Sequence, residues 1–588
     1  MRFISVLYIF VLSISCSTSI VSKDSQKKRA NVGITVKRTK RNSWLVHYKL
    51  PTPVKGVVFH RQTNQFRKNE WKILTPGLAF ATIEKNESIY SPKGESFTEI
   101  TVEFPSYYKH TPKDYEFFQP YSDGGILFYT GHLYLHPLQK VTLKSDNKFG
   151  FTFDEKKRWT PNLELYSFDS GNVVIQGKVN SGKVDWVDKS IRGTYVYFGN
   201  INPVTTKTMV AVLDSGTPKW ITDTMRDFLP KLFLLYWKKT KQKLSFRPVV
   251  YFNYKATTMS GTSNSGGTLP GLVQLTVEGT DWAKKDQGNL EHIVWFLAHE
   301  AAHFWNGQMF NNIDDDAAWL HEGGADAFAY RSLYELGIID KKSLWEKHNN
   351  ALNVCILGLG ENALNNSSKN RKFKNYYHCG SIIMFFVESA LSKQAKDLFY
   401  FWEMLLEKSQ ASKNEYGRKD FHELLRDEFG EKKLSVLIEE MELKGHQNLG
   451  QFLSKLAITA GIKLEPKNKN ASAKFLFKMK MKMLSNIMKA DCNGRVDISG
   501  RAKGFLIGGK NECKTFKPGK YDAVGVGGVK FRKTGYKPLY LAKKECREKG
   551  YMQLNIYNQK KPLKVPCEES HVEVFDWLEL KKVKGSKL

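Results

Sequence analysis

The sequence predicts a multidomain protein with an N-terminal antiparallel β domain, a central α/β and helical domain, and a small C-terminal β module. A chain of 588 residues exceeds the size at which a single hydrophobic core stops growing. Its composition, 41% hydrophobic and 25% charged, is typical of globular proteins and excludes a largely disordered chain. The spacing of apolar residues changes twice along the chain, and these changes mark the predicted domain borders.

Residues 30–210 are expected to form the N-terminal domain, a β-sandwich. Short segments rich in Val, Ile, Thr, Tyr and Phe are separated there by Gly, Pro, Asn and Asp, which is typical of antiparallel strands and their turns. Clear examples of predicted strands are residues 44–48, 126–135, 173–179 and 193–198.

Residues 219–465 are expected to form the central domain. Apolar residues at three- and four-residue spacing over 220–237 predict an amphipathic helix that Pro230 kinks. Predicted strands follow at 246–252 and 272–277. Further predicted helices span residues 289–310, 317–336, 377–391, 395–406, 418–429 and 434–441.

Residues 474–588 are expected to form the C-terminal β module, to which the sequence attaches no function. A polar linker rich in Lys and Asn spans residues 466–473, and a helix is predicted at 475–488. Short strands with Gly-rich turns are expected in the rest of the module.

The first 22 residues have the layout of a secretory signal peptide. A basic start is followed by an apolar run over residues 3–14 that is too short to span a bilayer. The protein is therefore expected outside the cytoplasm, in the periplasm, at the cell envelope or secreted. Cys16 is either removed with the signal or carries the lipid of a lipoprotein, although Leu12 lies one position too far from it. Such a lipid is the one membrane contact that the sequence predicts.

The six remaining cysteines form an even number, which suits disulfide pairing in an oxidising compartment. Cys492 to Cys513 and Cys546 to Cys567 enclose loops of equal length, so sequential pairing is attractive, with free buried thiols as the alternative. The other two are Cys355 and Cys379, for which a bond is a hypothesis.

The formal net charge of +31 favours anionic partners, such as an acidic surface. The lysines are spread along the whole chain, and no recognition motif accompanies them. We therefore expect solubility or weak adhesion to an anionic surface, rather than specific binding of nucleic acid.

The segment His299-Glu300-Ala301-Ala302-His303 carries the clearest chemistry in the sequence. It lies in an apolar-periodic stretch, so both imidazoles share one helical face and can bind one metal ion, with Glu300 beside them. Zinc lowers the pKa of water, which allows a carboxylate to act as general base. The alternative is two ordinary helical histidines.

Glu322 supplies a third candidate ligand, since eighteen residues separate it from His303. A catalytic zinc ion needs three protein ligands and one open position. His299, His303 and Glu322 therefore predict one zinc ion per chain.

These two segments resemble the gluzincin peptidases, and more closely the aminopeptidase N family. The resemblance includes Trp305 and Gly307 after the histidines, and the Trp-Leu-x-Glu-Gly pattern of residues 319–323. It covers residues 219–462 and is strongest over 298–329. It implies a thermolysin-like catalytic domain, a peptide or protein substrate, zinc ligands His299, His303 and Glu322, and Glu300 as general base.

Two further residues follow from the resemblance. Asp326, one helical turn after Glu322, is the expected carboxylate partner of a ligand histidine; the alternative is an aspartate on a solvated face. Tyr377, with Gly380, matches the family's Tyr-x-x-Gly, in which the tyrosine hydroxyl stabilises the oxyanion. Tyr377 is preferred to its neighbour Tyr376.

The sequence departs from the family upstream of the histidines. Where aminopeptidases carry Gly-x-Met-Glu-Asn, whose glutamate binds the substrate's amino terminus, this chain has a Gly-rich stretch at 265–271. Its residues Gly266, Gly267 and Thr268 are expected to hold a peptide backbone by strand addition. Glu278 or Asp281 would replace the glutamate, unless the enzyme cleaves internally or acts on unusual peptides.

The leading interpretation is a zinc peptidase, with exo- and endopeptidase activity both open. The alternative is a non-catalytic protein of gluzincin fold that binds surfaces or mediates adhesion. The presence of Glu300 opposes this alternative, because a protein that has lost catalysis need not keep the general base.

Overall fold

The computed structural model describes residues 30–582, except residues 41, 62, 64, 84–85, 108–114, 139, 144–148, 153–157, 256, 495–496, 502 and 533. The predicted signal segment and Cys16 lie outside the described residues. The described chain forms two compact units, residues 30–234 with 243–290, and residues 235–242 with 291–582. The predicted multidomain class, with β-sheets first and helices after them, is confirmed, and the domain boundaries stay predictions.

The first unit consists mainly of β-strands, as the alternating pattern predicts. Its strands are β1 Asn31–Lys40, β2 Ser43–Val54, β3 Gly56–Phe59, β4 Lys72–Ile73, β5 Ala79–Ile83, β6 Asn86–Tyr90, β7 Phe97–Pro105, β8 Phe118–Pro120, β9 Ile126–Tyr129, β10 Leu135–Pro137, β11 Lys140–Leu143, β12 Phe149–Thr152, β13 Thr160–Tyr166, β14 Asn172–Ile175, β15 Lys178–Ser181, β16 Lys183–Val187, β17 Tyr195–Gly199, β18 Val204–Thr205, β19 Val210–Leu213, β20 Val249–Lys255, β21 Ser263–Leu269 and β22 Leu272–Glu278. Helix α1 spans Phe66–Glu70, and α2 spans Lys219–Thr240 with its last residues grouped in the second unit.

Three sheets of the first unit share an aromatic core. Their orders are β16-β13-β1-β2-β7-β4, β15-β14-β17-β9-β8 and β10-β3-β6-β5. Trp44 of β2 packs on Phe128 of β9 and Phe198 of β17, with ring centroids 5.1 and 4.9 Å apart. These large buried side chains join the sheets through the hydrophobic effect.

Two of the predicted strands are interrupted by turns. Residues 126–135 form β9, a 3-10 turn at Thr130–Leu133 and the start of β10. Residues 173–179 form the hairpin of β14 and β15, whose turn places Gln176 and Gly177 at φ of 48° and 72°. A β-carbon on Gly177 would lie 2.0 Å from the carbonyl oxygen of Arg247, so only glycine fits.

A further sheet of the first unit is mixed, with strands in the order β18-β19-β20-β22-β21. Strands β19, β20 and β22 run parallel, and β21 pairs antiparallel with β22 at the edge. The strands predicted at 246–252 and 272–277 correspond to β20 and β22.

The second unit is mainly helical. Its helices are α3 Gln287–His303, which begins in the first unit, α4 Gly324–Glu335, α5 Lys341–Leu359, α6 Lys374–Ser392, α7 Leu398–Gln410, α8 Arg418–Glu423, α9 Lys432–Leu443, α10 Leu449–Thr459, α11 Ala473–Asp491 and α12 Lys537–Lys549. Its strands are β23 Asn311–Asn312, β24 Glu415–Tyr416, β25 Ile462–Pro466, β26 Ile498–Gly500, β27 Phe505–Gly509, β28 Gly519–Val526, β29 Val529–Lys530, β30 Tyr551–Ile556, β31 Leu563–Pro566 and β32 Leu578–Lys582.

The C-terminal segment combines helices with strands, where mostly strands are expected. The sheet β26-β27-β28-β30-β31 packs with α11 and α12 around a core that includes Met483, Leu539 and Leu554. The described cysteines pair sequentially, as Cys355–Cys379, Cys492–Cys513 and Cys546–Cys567. The preferred pairing is therefore confirmed. No helix among the described residues is long and apolar enough to cross a membrane.

Candidate metal centre

Helix α3 places the two histidines on one face, at its C-terminal end. Ile293, Val294 and Leu297 anchor the helix in the core. His299 and His303 lie one turn apart, with exposed fractions of 4% and 7%. The regular helix ends at His303 and continues as a π-helical turn over Phe304–Met309.

Glu322 reaches the same point from a second π-helical turn, Trp319–Gly323, which precedes α4. Its Oε2 atom lies 3.3 Å from Nε2 of His299 and 3.5 Å from Nε2 of His303. The two Nε2 atoms are 3.1 Å apart. The three predicted ligands therefore converge on one point.

The three atoms fit a tetrahedral zinc ion. Ligands at about 2.1 Å in tetrahedral geometry are separated by about 3.4 Å, which matches the spacing found here. Oε2 of Glu322 is buried and has no hydrogen-bond partner within the described part of the chain, although it faces two imidazoles. A cation satisfies such an atom, so two histidines and a carboxylate form a suitable donor set for zinc.

Each histidine is held from behind by a buried polar group. Nδ1 of His299 lies 2.9 Å from Oδ1 of Asp326, a residue with 1% exposure. Nδ1 of His303 lies 3.1 Å from Oδ1 of Asn306, which is fully buried and donates its own amide hydrogen to the carbonyl of His321. These contacts leave both Nε2 atoms available as ligands.

Asn306 has no assigned role in the sequence-based prediction. Its position three residues after His303, inside the helix predicted at 289–310, is the signal that could identify it, because residues at this spacing are neighbours on a helix. Asn306 has the same position relative to His303 as Asp326 has relative to His299, since each places a buried oxygen against the Nδ1 atom of its histidine.

The charges at the centre stabilise one another. Burial alone would raise the pKa of Glu322, but the imidazoles of His299 and His303 hold it well below its usual range. Burial opposes protonation of His299, yet Asp326 and Glu322 raise its pKa to about 10. The pocket therefore favours positive charge beside its carboxylates, as expected of a cation site.

Tyr377 lies next to the ligands because two backbones approach very closely. A β-carbon on Gly380 of α6 would lie 2.3 Å from the carbonyl oxygen of Trp319, and one on Gly323 would lie 2.3 Å from Cα of Gly380. This contact brings α6 against the turn that carries Glu322. The Tyr377 ring then stacks on that of His299, with centroids 5.5 Å apart.

The hydroxyl of Tyr377 stays protonated at neutral pH. Burial and the negative charges of Glu322 and Glu300 raise its pKa well above the usual value. The hydroxyl of neighbouring Tyr376 instead accepts a hydrogen bond from the backbone of Ser368. The geometry thus places Tyr377, and not Tyr376, beside the candidate ligands.

His321 is a further neighbour that the sequence leaves without a role. Its ring stacks on His303, with centroids 4.2 Å apart, and its Nδ1 lies 2.9 Å from the carbonyl oxygen of Asn306. Burial and the charge of His303 lower its pKa to about 4. A β-carbon on Gly307 would lie 2.5 Å from this ring, which explains the glycine at that position.

The predicted backbone-binding residues lie on edge strand β21, in the first unit. Gly266 pairs with Leu275, Gly267 with Gln274 and Thr268 with Val273. The carboxylate of Glu278 forms an ion pair with Lys255, 3.4 Å away. The part of these residues in substrate binding stays a prediction.

Comparison with known proteins gives a likeness of structure alone. No family model matches the sequence, and no curated protein matches it. A solved aminopeptidase N family protein from Idiomarina loihiensis superposes with a TM-score of 0.61 at 13% identity, covering 95% of this chain and 99% of its own.

This chain shares that protein's fold.

Two other solved structures match less well. Native yeast LTA4 hydrolase has a TM-score of 0.38 at 13% identity, over 78% of each chain. An M1 zinc metallopeptidase from Deinococcus radiodurans has a TM-score of 0.36 at 12% identity, over 71% of this chain and 94% of its own. Because a shared fold does not give a shared function, the side chains of the site are the evidence for function.

Proposed function

We propose that this protein is a zinc-dependent peptidase. The observation that supports this most strongly is the convergence of His299, His303 and Glu322, each with one donor atom aimed at the same point. The shared fold with an aminopeptidase N family protein agrees with the proposal. A buried cation site with a carboxylate and a tyrosine hydroxyl at its edge suits hydrolysis of an amide bond.

The residues around the centre have separate tasks. When bound by the three ligands, zinc would act as a Lewis acid that polarises a carbonyl and lowers the pKa of water. Glu300, which directly follows His299 on α3, accepts the proton of the attacking water and passes it to the leaving amine. The protonated hydroxyl of Tyr377 donates a hydrogen bond to the oxyanion. Asp326 and Asn306 hold the two imidazoles in orientation.

The test combines metal analysis with a peptide library. The purified protein and its Glu300→Gln variant are assayed for bound zinc and for cleavage of matched free and N-acetylated peptides by mass spectrometry. Glu346→Gln, an exposed change of the same charge on α5, serves as control. We expect one zinc per chain in all three proteins, with cleavage lost in Glu300→Gln only.

The outcomes also decide between the open alternatives. Cleavage confined to free peptides would identify an aminopeptidase, and cleavage of acetylated peptides an endopeptidase. Zinc binding without any hydrolysis would contradict the proposal and favour the surface-binding alternative.

A further inference from the structure

A cleft of about 540 Å³ opens in the first unit, beside two strands that follow each other in the chain. Strand β15 lies at the edge of one sheet and β16 at the edge of another, and neither edge pairs with a further strand among the described residues. Three apolar side chains, Ile175, Val184 and Trp186, line the cleft together with five polar ones. Its volume lies in the range of sites that bind small molecules.

Trp186 provides an aromatic wall of the cleft. Its ring packs against the hydrophobic core of the sheets and stays partly exposed. No residue in the described part of the chain accepts a hydrogen bond from its indole N–H. A tryptophan in this position offers a ligand an apolar surface and a hydrogen-bond donor at once.

The polar side chains of the cleft supply both donors and acceptors. The amide of Asn180 donates to the carbonyl oxygen of Val173, 3.3 Å away, and its own oxygen receives no hydrogen bond from the residues that the structure describes. Lys178 is exposed and has neither an ion pair nor a hydrogen bond within the described ranges. Asp185 forms an exposed ion pair with Lys183, 3.3 Å away, which contributes little energy and is readily exchanged for a ligand.

The turn between β14 and β15 holds one wall of the cleft in place. Gln176 and Gly177 have φ of 48° and 72°, as in a two-residue hairpin turn. The guanidinium of Arg247 donates through two nitrogens to the carbonyl oxygen of Gly177. Nε2 of Gln176 donates to Oγ1 of Thr194, 3.3 Å away. A wall that is already fixed loses little conformational entropy when a ligand binds.

This combination of groups suits a neutral sugar. A pyranose ring has an apolar C–H face that packs on an aromatic ring, and its hydroxyls both donate and accept hydrogen bonds. An ammonium, a carboxylate and an amide oxygen together match such hydroxyls, whereas a simple anion would be repelled by Asp185. A further peptide strand is disfavoured, because charged side chains on short edge strands oppose strand pairing.

We propose that this cleft binds a neutral oligosaccharide. One pyranose ring packs on Trp186, and its hydroxyls form hydrogen bonds with Lys178, Asn180 and Asp185. All of these residues belong to the first unit, so the proposal does not depend on the proposed peptidase function.

Calorimetry on the purified protein tests the proposal with four neutral probes, maltotetraose, cellotetraose, mannotetraose and chitotetraose. We expect at least one of them to bind with a Kd below about 1 mM. Trp186→Ala should weaken this binding at least about ten-fold, because the ring supplies the largest contact surface. Trp345→Ala, the same change at a partly exposed tryptophan on α5, should leave the binding unchanged.

A second variant keeps the test valid if Trp186→Ala disturbs the fold, which circular dichroism checks. Lys178 is exposed, so Lys178→Ala should fold normally and weaken binding of the same probe about five-fold through the lost hydrogen bond. Lys189→Ala, at another exposed lysine of the first unit, is the matched control and should bind like the parent protein.

Three results would overturn the proposal. The first is the absence of binding for all four probes at about 10 mM. The second is binding that persists unchanged in folded Trp186→Ala and in Lys178→Ala. The third comes from tetragalacturonate, an acidic probe. If this probe alone binds, equally in both variants and only at low salt, the general charge of +31 and not the cleft is responsible.

Discussion

At the scale of single residues, Asp326 and Asn306 restrain the two histidines of the candidate metal centre. The carboxylate of Asp326 fixes the tautomer of His299 and increases its basicity, because Oδ1 accepts from Nδ1 at 2.9 Å. Asn306 does the same for His303 and joins it to the turn that carries Glu322. The two partners therefore set the geometry of the donor atoms.

Replacing Asp326 by alanine should weaken zinc binding about 10- to 100-fold, as for partners of metal-bound histidines elsewhere. The imidazole of His299 loses its acceptor and its fixed orientation. Competition with a fluorescent chelator measures the affinity, and Asp315→Ala, an exposed change in the same unit, is the control. Equal zinc affinity in the two variants would show that Asp326 has no such role.

Lys478 should reduce stability at neutral pH, since its pKa is about 7 in the folded chain and near 10.5 when unfolded. Below pH 7 the Lys478 side chain is charged in both the folded and the unfolded chain, and the folded chain bears the full free-energy cost of the buried charge. This cost disappears as pH rises towards 10.5. Lys478→Met should therefore stabilise the protein by roughly 1 kcal/mol at pH 7, less than the shift alone suggests, because the side chain is partly solvated.

Urea unfolding at pH 7 and pH 10 measures this effect, and Lys489→Met provides the matched control. The stabilising effect of Lys478→Met should shrink at the higher pH. A variant that is less stable at pH 7 than the parent protein would mean that Lys478 has a structural partner.

At the scale of elements, the contact between Gly323 and Gly380 positions the centre. The π-helical turn with Glu322 and helix α6 with Tyr377 meet there backbone to backbone. The disulfide Cys355–Cys379 ties α6 to α5 beside this contact. The candidate ligand Glu322 and the proposed oxyanion donor Tyr377 thus depend on one packing interface.

Gly380→Ala should separate these elements, since its β-carbon would overlap the carbonyl oxygen of Trp319. We expect a loss of about 1–3 kcal/mol in the free energy of unfolding, as for overpacked cores, together with lower kcat. Gly450→Ala in α10 is the control, because its β-carbon meets nothing nearer than 3.6 Å. Denaturant unfolding and peptide kinetics measure both effects, and full activity in Gly380→Ala would contradict this account.

The elements differ in how far the sequence predicts them. Helix α3 is predicted because its apolar residues keep a regular period, but this period does not show that the α-helix ends at His303 and continues as a π-helical turn. Helix α5 escapes prediction because Asn349 and Asn353 lower its helical propensity. The structure explains the two asparagines, since their side-chain amides form hydrogen bonds with the backbone of strand β32, Asn353 at Leu578 and Asn349 at Leu580. A local pattern does not contain this distant partner.

The same distinction applies to the candidate site. The candidate ligands, the proposed base Glu300 and Asp326 have fixed spacings within one short stretch of sequence, so pattern and resemblance predict them. The backbone contact between Gly323 and Gly380, by contrast, joins residues that lie far apart in the sequence. Only the folded chain brings these two glycines together, so no local pattern predicts their contact.

At the scale of the whole molecule, the C-terminal segment is part of the second unit. Strand β32 pairs with β25 over Ile462–Pro466 and bonds the asparagines of α5. A chain that ends after Trp577 should therefore lose several kcal/mol of stability, because β25 and these amides lose their partners.

Thermal unfolding of this shortened chain measures the loss. A chain that ends after Lys582 keeps β32 and should unfold at the temperature of the full protein. Equal midpoints for both shortened chains would mean that β32 contributes nothing, and would support an independent module after residue 465.

The proposed function depends on one zinc ion bound between His299, His303 and Glu322. Anomalous diffraction at the zinc absorption edge, from crystals of the purified protein, tests this most directly. The account predicts one strong peak per chain, bonded to both Nε2 atoms and to the carboxylate of Glu322, and absent in His303→Ala. No peak there, or zinc held by other residues in protein that cleaves peptides, would contradict it.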